Sequence, residues 1–202
     1  MVLRDSALRA SKLLNARVGG KPVYPYQPDA IWETLAITKE RDFTYPASSG
    51  ENLYRRSLYT FWRRTIGPAN MFDASNRQTC KVRLSITSTP LHALTTLNDP
   101  TWVEAGRVLA SNALRAWPTP ETQLTYVFRQ VLSRSPAPNE LQTLLAALSK
   151  QRAIFENDPQ GAQKSLAIGA STPDASLPLT EYAALSAVCL GVLNLDEALT
   201  RE

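Results

Sequence analysis

A chain of 202 residues with 44% hydrophobic and 20% charged side chains is long enough to bury one ordinary core and too apolar to stay unfolded. It has no run of about 18 apolar residues, which excludes a membrane-spanning helix, and its two cysteines, Cys80 and Cys189, make neither a disulfide framework nor a thiolate metal site. The net charge of +4 is unevenly placed, with seven bases against Asp73 alone over residues 55–98 and five acids against Arg201 over 171–202. This layout suits either docking of the C-terminal segment onto the middle or a positive face left free for an anionic partner.

In chain order, Leu3, Ala7, Ala10 and Leu14 share one stripe with Gly19 and Gly20 beyond it, so a helix is expected over residues 2–14. Arg4, Asp5, Arg9 and Lys12 interrupt its apolar positions, which makes it an amphipathic helix and not a signal-peptide core. KPVYPYQP, residues 21–28, reads as an extended connector, because each proline fixes its own φ and biases its predecessor away from helix. A short helix is expected over 29–36, then a loop over 37–51.

Tyr54, Leu58, Phe61, Trp62 and Thr65 recur at helical spacing, which predicts a helix, although their aromatic and β-branched content also suits a strand. Residues 67–88 are rich in turn formers, among them Pro68, Asn70, Asp73, Ser75 and Asn76, and read as one long basic loop. Helices follow in quick succession. Thr89–Pro90, Asp99–Pro100 and Thr119–Pro120 each pair an N-cap residue with a first-turn proline. Leu124, Val127, Phe128, Val131 and Leu132 form one stripe and Leu141, Leu144, Leu145 and Leu148 another, while the stretch from Thr180 to Leu193 is apolar on most sides and is expected at the centre. The sum is a mainly α-helical single domain over residues 1–202 with one long irregular basic loop.

The blocks RDSALRASKLLN, PYQPDAIWE, LYRRSLYTFWRRT, FDASNRQTCKVR, TSTPLHALTTLNDP with the following TWVEAGRVLA, and LNLDEALTRE occur in that order. Together they resemble the domain of unknown function at the C-terminal end of large secreted proteins of planctomycetes and their relatives, which also carry cytochrome c-like regions. The resemblance implies a helical domain, a periplasmic or extracellular location, cytochrome c-like neighbours and no established reaction. It also implies family sequence upstream of Met1, so the chain is expected to be an N-terminally truncated copy and the C-terminal part of a longer multidomain protein. The chain departs from the commonest family pattern at His92, where Gln is expected, and at Cys189, where an aliphatic or small residue is usual.

Candidate sites are few. No CxxCH haem-attachment motif is present, so any haem is expected on a neighbouring domain of the longer protein and no cofactor in this chain. His92 is the sole histidine, which excludes a histidine triad or a multi-histidine metal site within the chain. Cys80 stands among Arg77, Lys81 and Arg83, where positive charge favours the thiolate, but a nucleophile needs a base and none is apparent; a buried structural thiol is the plainer reading. Arg55, Arg56, Arg63 and Arg64 interleave with Tyr54, Tyr59, Phe61 and Trp62 as in a polyanion-binding surface, yet no nucleic-acid-binding motif accompanies them. Asp73, Asn76, Arg77, Arg83 and Thr87, with Asn98, form the densest polar set, either a buried network that fixes the loop or the floor of a ligand pocket. Asp99 and Thr89 are read as helix caps.

Three functional classes follow: an interaction or scaffold domain of a secreted cytochrome-associated protein, which the expected neighbours favour; a substrate-binding part of an extracytoplasmic redox or carbohydrate-linked enzyme, built around residues 73–87; and a nucleic-acid or polyanion binder using residues 55–83. Partners are expected among other domains of the same longer protein or a separate protein.

Overall fold

A computed structural model describes residues 2–27, 45–62 and 89–200. Among these residues five helices open on a proline, and the residue before each proline sets the start. They are α2 (Pro90–Asn98), α3 (Pro100–Ala116), α4 (Pro120–Leu132), α5 (Pro138–Asn157) and α6 (Pro159–Leu166); α1 (Val2–Ala10), α7 (Leu179–Leu193) and a last turn, α8 (Asp196–Leu199), complete the set. Side chains of Thr89, Asp99, Thr119 and Asp158 accept backbone N–H groups of His92, Thr101, Thr122 and Gly161, satisfying donors that the first helical turn leaves unpaired. Ala137 has no side-chain acceptor to offer ahead of α5. There the Glu140 carboxylate reaches back to the Ala137 N–H at 2.7 Å instead.

α7 is apolar all round and packs against α3, α4, α5 and α6, the central place its composition predicts. Tyr182, Leu185, Val188, Cys189 and Val192 share one buried cluster with Leu109 and Ala113 of α3, Leu124, Val127 and Phe128 of α4, Leu148 of α5 and Leu166 of α6. The α3–α7 crossing is close because of Gly106: a Cβ there would stand 3.1 Å from the Leu190 backbone N and 3.3 Å from the Ser186 carbonyl oxygen. Beside this core, Ala7 and Ala10 of α1 close a second cluster over Trp102, Ala105 and Leu193.

Two expected elements differ. The helix predicted from Tyr54 is absent over its described part: Gly50–Tyr54 and Ser57–Tyr59 are 3₁₀ turns, Thr60 is extended, and isolated parallel bridges join Asn15 to Arg55 and Val23 to Thr60. The reason is competition for carbonyls, since the Leu53 and Arg55 oxygens that a helix would use accept from the Arg4 guanidinium. The opening helix stops at Ala10, four residues early, with Ser11 Oγ donating back to the Ala7 and Leu8 carbonyls and Lys12 in the left-handed region at φ 64°. α6 was not anticipated from the sequence, although Asp158–Pro159 carries the same start signal as the others. The short helix expected over 29–36 and the long loop of 67–88 lie outside the described residues.

Among the described residues the acidic C-terminal segment pairs with arginines of the helical body. Arg115 Nε donates to Asp174 at 2.7 Å, Arg152 pairs with Glu181 at 2.6 Å, and Arg134 bridges Glu140 and Glu197 at 2.8 and 2.6 Å. Among the described residues no helix is long and apolar enough to cross a membrane.

Two glycine substitutions are expected to have opposite signs. Gly106→Leu forces α3 from α7 and should lower stability by about 1–3 kcal/mol or more, whereas Gly191, also helical but with no atom within 4 Å of an added Cβ, should gain up to about 1 kcal/mol as Ala. Urea denaturation of the two variants checks this; equal effects would place the close helix contact elsewhere.

Candidate functional site

The residues expected to form a site, Asp73, Asn76, Arg77, Arg83 and Thr87, lie outside the described residues, as do Cys80, Arg63 and Arg64. Asn98 is described and exposed, its amide donating to the Leu94 carbonyl of its own helix at 2.7 Å. His92 sits in the first turn of α2, where Thr89 caps its backbone N–H. Cys189 is fully buried in the main core, and burial pushes its thiol well above the ordinary range, which leaves it protonated and unreactive. Among the described residues no group of three or more His, Cys, Asp or Glu is gathered as metal ligands are.

Among the described residues the fold brings polar groups together in two buried clusters, neither signalled by the sequence motifs. The first is centred on Glu104, whose residue is fully buried on α3. Its Oε1 accepts from Tyr54 Oη at 2.8 Å and from the Ser171 N–H at 2.6 Å, while Oε2 accepts from Tyr26 Oη at 2.9 Å. Arg107, one turn along and 1% exposed, stands 3.6 Å from Oε1 and donates to the Ser171 carbonyl and hydroxyl oxygens, both at 2.7 Å. The Tyr26 hydroxyl in turn accepts the Ala170 N–H at 2.7 Å. Burial, with the Glu104 carboxylate beside it, pushes the Tyr54 phenol up to about 12 and Tyr26 higher still. Both phenols are therefore permanent donors to Glu104 at physiological pH. Gly169 is required at the edge of this cluster: its φ is +99°, and a Cβ there would meet the Glu104 side chain at 2.5 to 2.8 Å.

The second cluster is built by arginines that bind backbone. Arg4, 1% exposed on α1, donates to the Leu53 and Arg55 carbonyls at 2.6 and 2.9 Å and to Ser57 Oγ at 3.3 Å. Asp5 Oδ1 accepts from the Ser57 N–H and Oγ at 2.8 and 2.7 Å, so two neighbouring side chains of α1 hold one turn of the distant segment. Burial pulls the Arg4 guanidinium below its ordinary value and the Asp5 carboxylate opposes that. Arg55 repeats the device: it donates to the carbonyls of Arg17, Gly19 and Lys21, and its guanidinium lies 4.2 Å from the Tyr59 ring centroid. Arg55 is thus turned inward, 4% exposed, and its charge is withdrawn from the polyanion-binding face considered above.

These clusters fix loops; every oxygen of Glu104 is occupied by the chain's own donors. The legible trace of the first is a charged pair, Glu104 and Arg107, inside the otherwise apolar run TWVEAGRVLA. Among the described residues three exposed leucines share one short helix, a ridge on α2: Leu91, Leu94 and Leu97 are 68%, 58% and 43% exposed. Thr96, on the other side of the same helix, is buried and hydrogen-bonded to Asn194 at the end of α7.

A family model described as PSD1, a protein family of unknown function (DUF1553), matches residues 1–148, and the chain belongs to that family. No curated protein and no solved structure matches the chain.

Glu104→Gln is expected to lower stability by about 3–5 kcal/mol, because it leaves Arg107 buried without its carboxylate and turns an amide donor toward existing donors. Tyr54→Phe removes one bond to the charge from a half-buried residue and should cost about 1.5 kcal/mol. Urea midpoints test both, and a wild-type midpoint for Glu104→Gln would remove the carboxylate from this role. The Arg134 bridge gives a pH expectation. Its hydrogen bonds hold Glu140 down at about 2 and Glu197 below the usual range. Carboxylates depressed in the folded state stabilise it above their unfolded value of about 4.3 and lose that contribution as pH falls through the folded one. The tie between α8 and the start of α5 should therefore loosen from about pH 4.3 downward, followed by carboxyl NMR. Arg134→Gln should raise the Glu140 pKa, with the Ala137 N–H still holding it below the unfolded value; an ordinary Glu140 titration in the wild type would refute the bridge.

Proposed function

From membership of a family of unknown function, we propose that this domain is an interaction or scaffold module that docks other regions of a longer secreted, cytochrome c-associated protein. The single observation that carries the docking role is the α2 ridge: three leucines at i, i+3 and i+6 face outward on a helix whose opposite side is pinned to the core through Thr96. A three-leucine stripe on one short helix is the anchor pattern by which helices seat in apolar grooves, and contiguous exposed apolar surface on a folded domain marks such contacts. The buried polar clusters support the same reading, because their side chains are spent on the chain's own backbone.

The secreted, planctomycete-type and cytochrome-linked context rests on the ordered sequence blocks, and in it haem belongs to a neighbouring region of the longer protein. In the enzyme reading the chemistry falls to residues 73–87.

A photo-crosslinker at position 94 in the full-length protein, expressed in its native cells, tests the docking role. Discrete cross-linked peptides from another region of the same protein are expected, with none from a crosslinker at Lys150, an exposed polar position of α5. Absence of a position-94 adduct, or the same diffuse products from both positions, would overturn it.

A further inference from the structure

At the end of α3 the chain leaves the helix through Trp117, which is 42% exposed with its backbone extended. Its ring and that of Tyr126 on α4 have centroids 6.3 Å apart and planes tilted by 39°, so they form two walls of a groove rather than a closed stack. The groove holds about 650 Å³, within the range of about 300–1,000 Å³ usual for small-molecule sites. Glu121, Arg129 and Gln130 line it, and the Lys12 ammonium stands 6.0 Å from the Tyr126 centroid. The side chains of Glu121, Arg129 and Gln130 are exposed and make no hydrogen bond or ion pair with another described residue.

The chemistry of this set selects among ligands. A carboxylate only accepts, a guanidinium and an ammonium only donate, and a carboxamide does both. Near pH 7 inorganic phosphate keeps an O–H donor, but its other oxygens only accept and its negative charge suits Arg129 while being repelled by Glu121. A proline-rich peptide also presents mainly carbonyl acceptors and leaves the Glu121 carboxylate desolvated without a donor. Hydroxyl groups donate and accept, so a polyhydroxylated ring satisfies Glu121, Arg129 and Gln130 at once. Its C–H face, of positive edge character, matches the negative face of the Trp117 indole. We propose that the Trp117–Tyr126 groove binds a neutral saccharide chain, with one sugar ring stacked on Trp117 and neighbouring hydroxyls held by Glu121, Arg129 and Gln130. The site shares no residue with the α2 ridge and does not depend on the docking role.

Isothermal titration of the whole chain with soluble neutral hexasaccharides of β-1,4-glucan, β-1,3-glucan, xylan, mannan and chitin tests the proposal. Binding of at least one series is expected. Trp117→Ala should weaken it about tenfold or more, and Glu121→Gln and Arg129→Gln several-fold each. All three positions are exposed, so the helical circular dichroism spectrum should be unchanged, which separates loss of binding from loss of fold. No binding to any of the five series would overturn the proposal. So would saccharide binding that Trp117→Ala leaves intact, or binding of inorganic phosphate or a proline-rich peptide at this groove in place of the sugars.

Discussion

The buried carboxylate of Glu104 is the constraint on which the remaining architecture depends. Three segments far apart in sequence, around Tyr26, Tyr54 and Ser171, converge on it, each delivering a donor. Taking a carboxylate and the Arg107 guanidinium out of water costs several kcal/mol per ion, and the loss is recovered only when every lone pair is matched. Here both oxygens of Glu104 accept, from three donors in all. The cluster adds little net stability compared with an apolar replacement of the same shape, but it makes any other arrangement of the three segments expensive, since an unmatched carboxylate would stay buried. That is a specification of geometry more than a source of strength.

Arg4 and Arg55 solve the related problem of irregular backbone next to a core. Residues 11–27 and 45–62 lack the ladders that would satisfy their carbonyls, and buried carbonyls must find donors. One guanidinium offers five donors in a fixed fork, so two buried arginines cover the carbonyls of Leu53, Arg55, Arg17, Gly19 and Lys21. Arg55 acts twice, as acceptor through its carbonyl to Arg4 and as donor through its side chain. The two loops are thereby chained to α1 in series. This explains why the positive charge of the middle of the sequence is not simply a surface property: part of it is structural, spent inside.

The helical body was legible because its signals are local. Proline with a preceding Thr or Asp marks a helix start through bonds spanning three residues, and the stripes of α4 and the all-round apolar α7 follow from helical period alone. The segment from Tyr54 was misread for the opposite reason. Its spacing suits a helix, but the carbonyls a helix needs are taken by Arg4, about fifty residues away, and no local pattern encodes that theft. Glu104 was missed in the same way, since its partners come from both sides of it in sequence. The Trp117 groove gave no motif either: its aromatic walls sit on either side of a helix boundary, and only the turn at Pro118 brings them into register.

The family match ends at residue 148, within α5, yet the centre of the larger core is α7 at Leu179–Leu193. Leu109, Ala113, Leu124, Val127 and Phe128 all bury against side chains that lie beyond the match. Residues 1–148 alone would expose that surface, and the Glu104 carboxylate would lose the Ser171 N–H. The cooperative unit is thus larger than the matched segment. The α3–α7 contact, made close by Gly106, ties the matched segment to a helix beyond the end of the match, so in this chain the matched residues are folded together with their neighbours.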